Sequence, residues 1–125
     1  MKVKQLLKVG LVLAVTALVA GCKIEVVAVQ GGDIAWEGGS CLEGSTCVVE
    51  VTDTNFFKNF TVQPKPGYKF TAWRAGSNFL CGQDSVKFKK TCTVNFSVID
   101  YATATTLIGI NSTEYLMPKY EYVGL

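Results

Sequence analysis

Residues 60–73, FTVQPKPGYKFTAW, constrain the fold most strongly, because apolar and polar residues alternate on both sides of a proline-glycine turn. A period of two is typical of β-strands that bury one face. Two cysteines precede this segment, at positions 41 and 47, and two follow it, at positions 81 and 92. The pattern predicts a β-hairpin at the centre of a small domain cross-linked by disulfides. The residues expected to face its core are Phe60, Val62, Tyr68, Phe70 and Ala72.

Residues 1–21 have the pattern of an export signal. Lys2, Lys4 and Lys8 precede an apolar run over 9–19, and small residues then lead to Cys22. The run is about half the roughly 20 residues that a helix needs to span a bilayer. We therefore predict a cleaved signal peptide rather than a transmembrane helix.

The end of this leader, LVAGC at residues 18–22, resembles the lipobox of bacterial lipoproteins. The resemblance implies that diacylglycerol is joined to the thiol of Cys22 and that the signal is cut just before it. Residues 22–125 would then form a single lipid-anchored domain with the membrane as its partner. Lys23, where an aspartate would imply inner-membrane retention, favours the outer membrane. The alternative is a soluble secreted protein with an ordinary cleavage site and a free thiol.

The basic character of the whole chain belongs mostly to the leader. Three of the 12 basic residues precede position 22, which leaves nine basic residues beside ten acidic ones. A nucleic-acid partner requires a net positive face for phosphate contacts, so this class of partner is not expected.

Four cysteines remain once Cys22 is assigned to lipid, and an exported domain permits disulfides. Three pairings are possible. We favour Cys41–Cys47 with Cys81–Cys92, because each bond closes a short loop between neighbouring strands, and each is expected to contribute roughly 2–3 kcal/mol. The cysteines lack C-x-x-C spacing, which disfavours a zinc site.

The remaining elements follow from periodicity and turn residues. A glycine turn at 30–33 predicts a hairpin between the strands on either side of it. Asp100 is suited to cap a helix over 100–110, with Tyr101, Ala104, Leu107 and Ile108 on one face. The other strands are predicted at 23–29, 34–36, 48–51, 86–98 and 115–123.

Catalysis has little support in the sequence. The chain has no histidine, so no histidine acid, base or metal ligand can be built. The acidic residues are scattered and do not form a metal-binding loop. We expect no catalytic residues, no metal site and no cofactor.

Four residues are candidates for a binding surface: Trp36, Trp73, Arg74 and Lys87. Tryptophan and arginine are enriched at interface hot spots. The competing interpretation places the tryptophans in or against the core, and for Trp73 we favour that interpretation. Lys87, with Lys89 and Lys90, is more typical of an edge strand protected against aggregation than of a ligand site.

The combination of a Gly-x-x-Cys-x5-Cys segment, PKPGYKF at residues 64–70 and Trp73 resembles a divergent internalin-type B-repeat of bacterial surface proteins. The resemblance covers residues 24–123 as a single copy. It implies a compact β-grasp-like sheet module that serves as a spacer or interaction unit. Ala72 stands where the family usually has glycine.

Together these observations predict a mainly β domain with one short helix, a compact antiparallel β-grasp-like sheet held by two disulfides. The predicted function is that of a non-catalytic structural or interaction module in the cell envelope, with a protein or glycan partner. One alternative is an inhibitor of an exogenous enzyme such as a lysozyme, in which the loop from Cys81 to Cys92 protrudes. A second is carbohydrate binding through Trp36.

Overall fold

The computed structural model describes residues 21–98 and 101–124. The predicted signal peptide therefore lies outside the described residues, except for Gly21, and so does the predicted cap Asp100.

Nine strands and one α-helix make up the described part of the chain, with two short 3-10 turns at Asp84–Phe88 and Phe96–Val98. The helix, α1, spans Tyr101–Gly109, close to its predicted position. The strands are β1 Cys22–Val27, β2 Gly32–Trp36, β3 Gly39–Cys41, β4 Thr46–Val51, β5 Phe57–Pro64, β6 Tyr68–Trp73, β7 Thr91–Asn95, β8 Thr113–Leu116 and β9 Pro118–Tyr122.

The strands form three sheets. One sheet has the order β4-β1-β8, the second has the order β3-β2-β5-β7, and β6 pairs with β9 in the third. All pairs of strands are antiparallel except β1 and β8, which run parallel. Parallel neighbours need a crossover connection, and α1 lies in the chain just before β8.

One apolar cluster joins the three sheets. Ile24 and Val26 come from the first sheet, Phe60 from the second and Trp73 from the third, and all four side chains are fully buried. Alternation along the strands places these residues inward, as the period of two predicts. The helix adds Ile108, which packs against the cluster. The side chains of Tyr101 and Ala104 lie outside the described part.

The predicted fold class is confirmed: the domain is mainly β with one short helix, and it contains two disulfides. Both bonds have the favoured pairing, Cys41–Cys47 and Cys81–Cys92.

The predicted hairpin over residues 60–73 is wrong in its pairing, although the inward residues are correct apart from the half-buried Tyr68. β5 pairs with β2 and β7, whereas β6 pairs with β9, so the turn carries the chain from one sheet to another. Gly67 adopts a φ of 90° in this turn, which a residue with a side chain rarely adopts. The Lys65 N–H donates to the carbonyl of Gly31, and this bond holds the turn against the neighbouring loop.

The hairpin predicted around residues 30–33 is also absent. The turn is present, but β1 pairs with β4 and β8 in the three-stranded sheet, whereas β2 belongs to the four-stranded sheet. Gly31 has a φ of 131°, and a Cβ atom there would collide with the ring of Tyr120. Tyr120 of β9 therefore packs closely against this turn, in a space that only glycine leaves open.

Two predicted strands are shorter than expected. Within residues 86–98 only Thr91–Asn95 is a strand, because the first part forms the 3-10 turn Asp84–Phe88. Cys92, Val94 and Phe96 are buried, at every second position of this segment. The strand predicted at 115–123 is divided at Met117 into β8 and β9, and Pro118 is the first residue of β9, a position that proline tolerates.

Removing the second disulfide by Cys81→Ala with Cys92→Ala should lower the free energy of unfolding by about 3 kcal/mol, because the bond closes a loop of 11 residues. Urea denaturation under oxidising conditions measures this loss. The matched change is Cys41→Ala with Cys47→Ala. The bond that it removes closes a loop of only six residues, so the free energy of unfolding should fall by about 2 kcal/mol. Unchanged stability in either double variant would contradict the assignment of these bonds as structural cross-links.

Candidate functional site

A surface groove of about 260 Å³ lies between β7 and the loop that precedes the 3-10 turn Asp84–Phe88. Apolar side chains form much of its lining, and it opens to solvent at a strand that has a neighbour on one side only. The lining residues are Leu80, Cys81, Gln83, Val86, Thr93, Val94, Asn95 and Phe96.

The wall formed by β7 is a backbone edge and not merely one face of a strand. Four consecutive residues, 93–96, line the groove, although successive side chains of a strand point to opposite faces. Val94 and Phe96 are buried, whereas the hydroxyl of Thr93 donates to Asn59 Oδ1 on the exposed face, at 2.6 Å. The main chain must therefore supply part of the wall.

The register shows which backbone groups of β7 are free. The Phe96 N–H donates to the Phe56 carbonyl, and the Val62 N–H donates to the Lys90 carbonyl. Even-numbered residues of β7 therefore form the hydrogen-bonded pairs with β5. The N–H and C=O groups of Thr91, Thr93 and Asn95 point away from β5, towards an edge with which no described strand pairs.

The opposite wall is held in place by covalent and backbone bonds. The Cys81–Cys92 disulfide attaches the loop to β7. On the other side, the Leu80 N–H donates to the Tyr115 carbonyl, and the Tyr115 N–H donates to the Asn78 carbonyl, both at 2.7 Å. Cys81 itself has a φ of 62°, which is uncommon for a residue with a side chain. These bonds fix the groove before any partner arrives.

The electrostatics of this region differ from those of the rest of the domain. Residues 79–98 contain Lys87, Lys89 and Lys90 but only one acidic residue, Asp84. None of these lysines forms an ion pair with another described residue. Elsewhere in residues 22–125 acidic residues outnumber basic ones by nine to six. None of the three lysines lines the groove, but they lie in the chain between two residues that do, Val86 and Thr93. We refer to Lys87, Lys89 and Lys90 as the basic rim of the groove, on an otherwise acidic domain.

The lysines do not have the predicted location on an edge strand. Lys87 lies in the 3-10 turn, with its Nζ 5.2 Å from the centroid of the Phe88 ring, while Lys89 and Lys90 lie in the chain between that turn and β7. The edge strand is β7, which begins at Thr91.

Trp73 is a core residue, as the favoured interpretation states, and it cannot serve in a binding surface. Its side chain is fully buried, and its Nε1–H donates to the carbonyl of Lys89 at 2.7 Å. This bond joins β6 to the segment between the 3-10 turn and β7. Trp73 therefore contributes to the groove by positioning its basic rim.

The other two candidate binding residues lie apart from the groove lining. Arg74 is exposed, with its guanidinium carbon 5.6 Å from the centroid of the Phe79 ring. Trp36 is half-buried on β2, and its ring packs at 5.4 Å against Phe60. A Cβ atom on Gly39 would meet the Trp36 indole nitrogen at 2.8 Å, so the backbone of β3 also approaches this ring closely.

Cys22 lies at the start of β1 and is buried. The Ser112 hydroxyl donates to its Sγ at 3.4 Å. Burial raises the pKa of the Cys22 thiol; the bond from Ser112 opposes this effect, and the charge of Glu114 adds to it. The sulfur thus sits in packed protein, an arrangement that has no room for a diacylglyceryl group.

A polar cluster joins three loops: the one between β1 and β2, the one between β3 and β4, and the one between β5 and β6. The Glu43 carboxylate accepts from the Gly31 N–H at 2.6 Å and pairs with Lys65 Nζ at 2.7 Å. The bond from Lys65, followed by that from Gly31, lowers the pKa of Glu43. Asp33 accepts from the Glu43 N–H. Since these contacts satisfy the carboxylates, we assign this cluster a structural role.

Lys87 and the loop from Cys81 to Cys92, which the sequence indicates as candidates, flank the groove, but the groove itself was not predicted. Leu80 and Val86 have no motif, and the importance of Thr93 and Asn95 depends on which side of β7 is paired. Three residues with side chains have positive φ between 78 and 84: Asn78, Cys81 and Asp84. The lone signal in the sequence was the placement of Cys81 and Cys92 on either side of a lysine-rich segment.

Residues 21–98 and 101–124 contain no group of three or more histidine, cysteine, aspartate or glutamate side chains that could hold a metal ion. Within those same ranges no helix is long and apolar enough to cross a bilayer.

Tyr120→Phe should stabilise the domain by about 1 kcal/mol at neutral pH. The Tyr120 hydroxyl is buried without a hydrogen-bond partner among the described residues, and an unpaired buried hydroxyl is costly. Burial, with the charges of Asp33 and Glu43, raises the pKa of Tyr120 to about 12. The unfolded chain releases this proton near pH 10, so the wild type should lose stability between about pH 10 and 12.

The variant should lose less stability over this alkaline range, which urea denaturation at several pH values measures. Tyr122→Phe is the matched control, because Tyr122 is 65% exposed and belongs to the same strand. A Tyr120→Phe protein that is less stable at pH 7, or that declines as steeply as wild type above pH 10, would overturn the assignment.

Comparison with known proteins gives no relative: no family model, no curated protein and no solved structure matches this chain.

Proposed function

We propose that this chain is a non-catalytic, lipid-anchored protein of the cell envelope and that its domain is an interaction module. The groove beside β7 is the binding surface in this proposal. The observation that supports it most directly is the meeting of an apolar groove with an unpaired strand edge. Natural sheets usually protect such edges, so an open one beside a preformed groove favours a partner.

The location rests on two kinds of evidence. The LVAGC segment supports lipidation of Cys22, and Lys23 supports the outer membrane. The two disulfides favour an oxidising compartment, because such bonds rarely persist in the cytosol. Two or three acyl chains would make the anchor effectively permanent.

Lipidation requires a change at the start of β1. The buried position of Cys22 cannot hold a diacylglyceryl group, so in the lipidated form this residue must leave the end of the sheet and β1 must start at Lys23. Cys22 would then be the chain terminus, and terminal residues separate from a sheet more easily than internal ones. The Lys23 N–H still donates to the Ser112 carbonyl and keeps the rest of the strand in place.

The domain would lie close to the membrane in this arrangement. In the lipidated form β1 would start at Lys23, the residue that directly follows the lipidated cysteine, so no flexible tether separates the sheet from the anchor. Ile110, which is 66% exposed, follows α1 and lies two residues before Ser112, the partner of Lys23. An apolar side chain beside the anchor suits the bilayer surface. The resemblance to internalin-type B-repeats supports a spacer or interaction role for such a module.

Inhibition of an exogenous enzyme is the second candidate function. Val86 and Phe88, in the loop between Cys81 and Cys92, are 41% and 63% exposed. Apolar side chains on a disulfide-closed loop are suited to entering a cleft. Assays of lysozyme inhibition with the wild type, Arg74→Ala and Lys87→Ala would test this alternative. Carbohydrate stacking on Trp36 has less support, since that ring is half-buried and not an open platform.

Cys22→Ser should abolish incorporation of labelled fatty acid and release the protein from the membrane fraction of the expressing bacteria. The substitution removes the acceptor thiol while changing one atom. Ser112→Ala is the matched control, because it removes the hydroxyl that contacts this sulfur but leaves the lipobox intact. Label that persists in Cys22→Ser, or is absent from wild type, would refute the lipid anchor.

A further inference from the structure

We propose that the groove binds an extended acidic peptide, which adds to the free edge of β7 as a further strand. This inference rests on the proposed function, because it names the class of partner for the same surface.

The backbone edge offers paired donors and acceptors at regular spacing. Thr91, Thr93 and Asn95 each direct one N–H and one C=O away from β5, as the register requires. An extended peptide satisfies such groups in the manner of strand addition. The five residues of β7 match a partner segment of about the same length, close to 17 Å when extended.

The wall opposite the edge supplies a place for side chains. Leu80 and Val86 line the groove from the loop, and Phe96 lines it just after the end of β7. A strand laid along β7 points alternate side chains to opposite faces. One set would contact these apolar residues, and the other would point outward. The structure therefore favours a peptide with apolar residues at every second position.

The charge of the rim selects an acidic partner. Lys87 adjoins the wall residue Val86, and Lys89 and Lys90 precede the first residue of β7. Asp84 is the one acidic residue between positions 79 and 98. Carboxylates at the outward positions of the bound strand would meet these lysines. Complementary charge of this kind makes association faster and more specific.

The same charge disfavours two other occupants. A second copy of the domain, paired edge to edge through β7, would bring two basic rims together, and like charges at an interface are unfavourable. The leader of this chain is also basic, with Lys2, Lys4 and Lys8. An acidic segment from another protein is the occupant that fits the rim.

The test is a titration of the protein, expressed from its full gene and purified as the cell processes it, with a labelled peptide of about eight residues that alternates glutamate and valine. Fluorescence anisotropy at low salt measures binding. A peptide with lysine in place of glutamate tests charge. A third peptide, methylated on alternate backbone nitrogens, tests strand pairing without altering the protein.

Thr93→Pro is the informative variant. In the wild type the Thr93 N–H faces the free edge and takes no part in pairing with β5. Proline at this position therefore removes an outward donor but no hydrogen bond to β5. Thr93→Ala is the matched control, because it removes the same side chain and keeps the N–H. Lys87→Glu with Lys90→Glu reverses the rim. Circular dichroism checks that each variant is folded.

We expect the acidic peptide to bind, and we expect Thr93→Pro to bind it at least about tenfold more weakly than Thr93→Ala does. Backbone methylation of the peptide should weaken its binding to the wild type by a similar factor. Charge reversal should shift preference to the lysine peptide. The proposal is overturned by absent binding, by equal binding of both charge types, or by equal affinity of the proline and alanine variants. It is also overturned if the protein self-associates through β7 instead, which a concentration series by analytical ultracentrifugation detects.

Failure here is separable from failure of the proposed function. The titration does not depend on lipid, so a protein that fails to incorporate fatty acid but binds the acidic peptide retains this inference. A protein that incorporates the lipid label but binds none of the peptides would contradict the acidic-peptide proposal and leave the lipid anchor supported.

Discussion

The attachment of the segment between Gly82 and Lys90 to the sheets is the constraint on which the candidate site depends. The Cys81–Cys92 disulfide fixes one end of this segment to β7, and the hydrogen bond from Trp73 to the Lys89 carbonyl fixes the other end to β6. The disulfide restricts the unfolded chain, and the indole, fully buried, gives its N–H the partner that burial requires. Together they hold a loop beside a strand edge without covering that edge.

The fold explains why the edge is open. β7 is the last strand of its sheet, and the chain leaves it through the turn Phe96–Val98 rather than returning to pair again. The C-terminal strands are used elsewhere, β8 beside β1 and β9 beside β6. Each sheet contributes to one apolar core, so the core is complete while this edge stays unpaired. A module of this kind can present a binding surface without weakening its interior.

Local patterns in the sequence predicted the parts of the fold that depend on neighbouring residues. The inward positions of Phe60, Val62 and Phe70, the helix before β8 and the two short disulfide loops all follow from spacing along the chain. Pairing between sheets did not follow, since a period of two is the same whether a strand pairs with its neighbour in sequence or with a distant strand. The prediction that the two strands within residues 60–73 pair with each other is wrong for this reason. The groove was missed because it depends on which side of β7 faces β5, which only the tertiary structure determines.

Amide hydrogen exchange along β7, followed by NMR without any partner, tests the central claim most directly. If the outer edge is unpaired, the amides of Cys92 and Val94 should be protected by β5, whereas those of Thr93 and Asn95 should exchange much faster. The amide exchange rates of successive residues in β7 would then alternate between slow and fast. Equal protection of both sets would show that the edge is already occupied, and the account of this surface would be wrong.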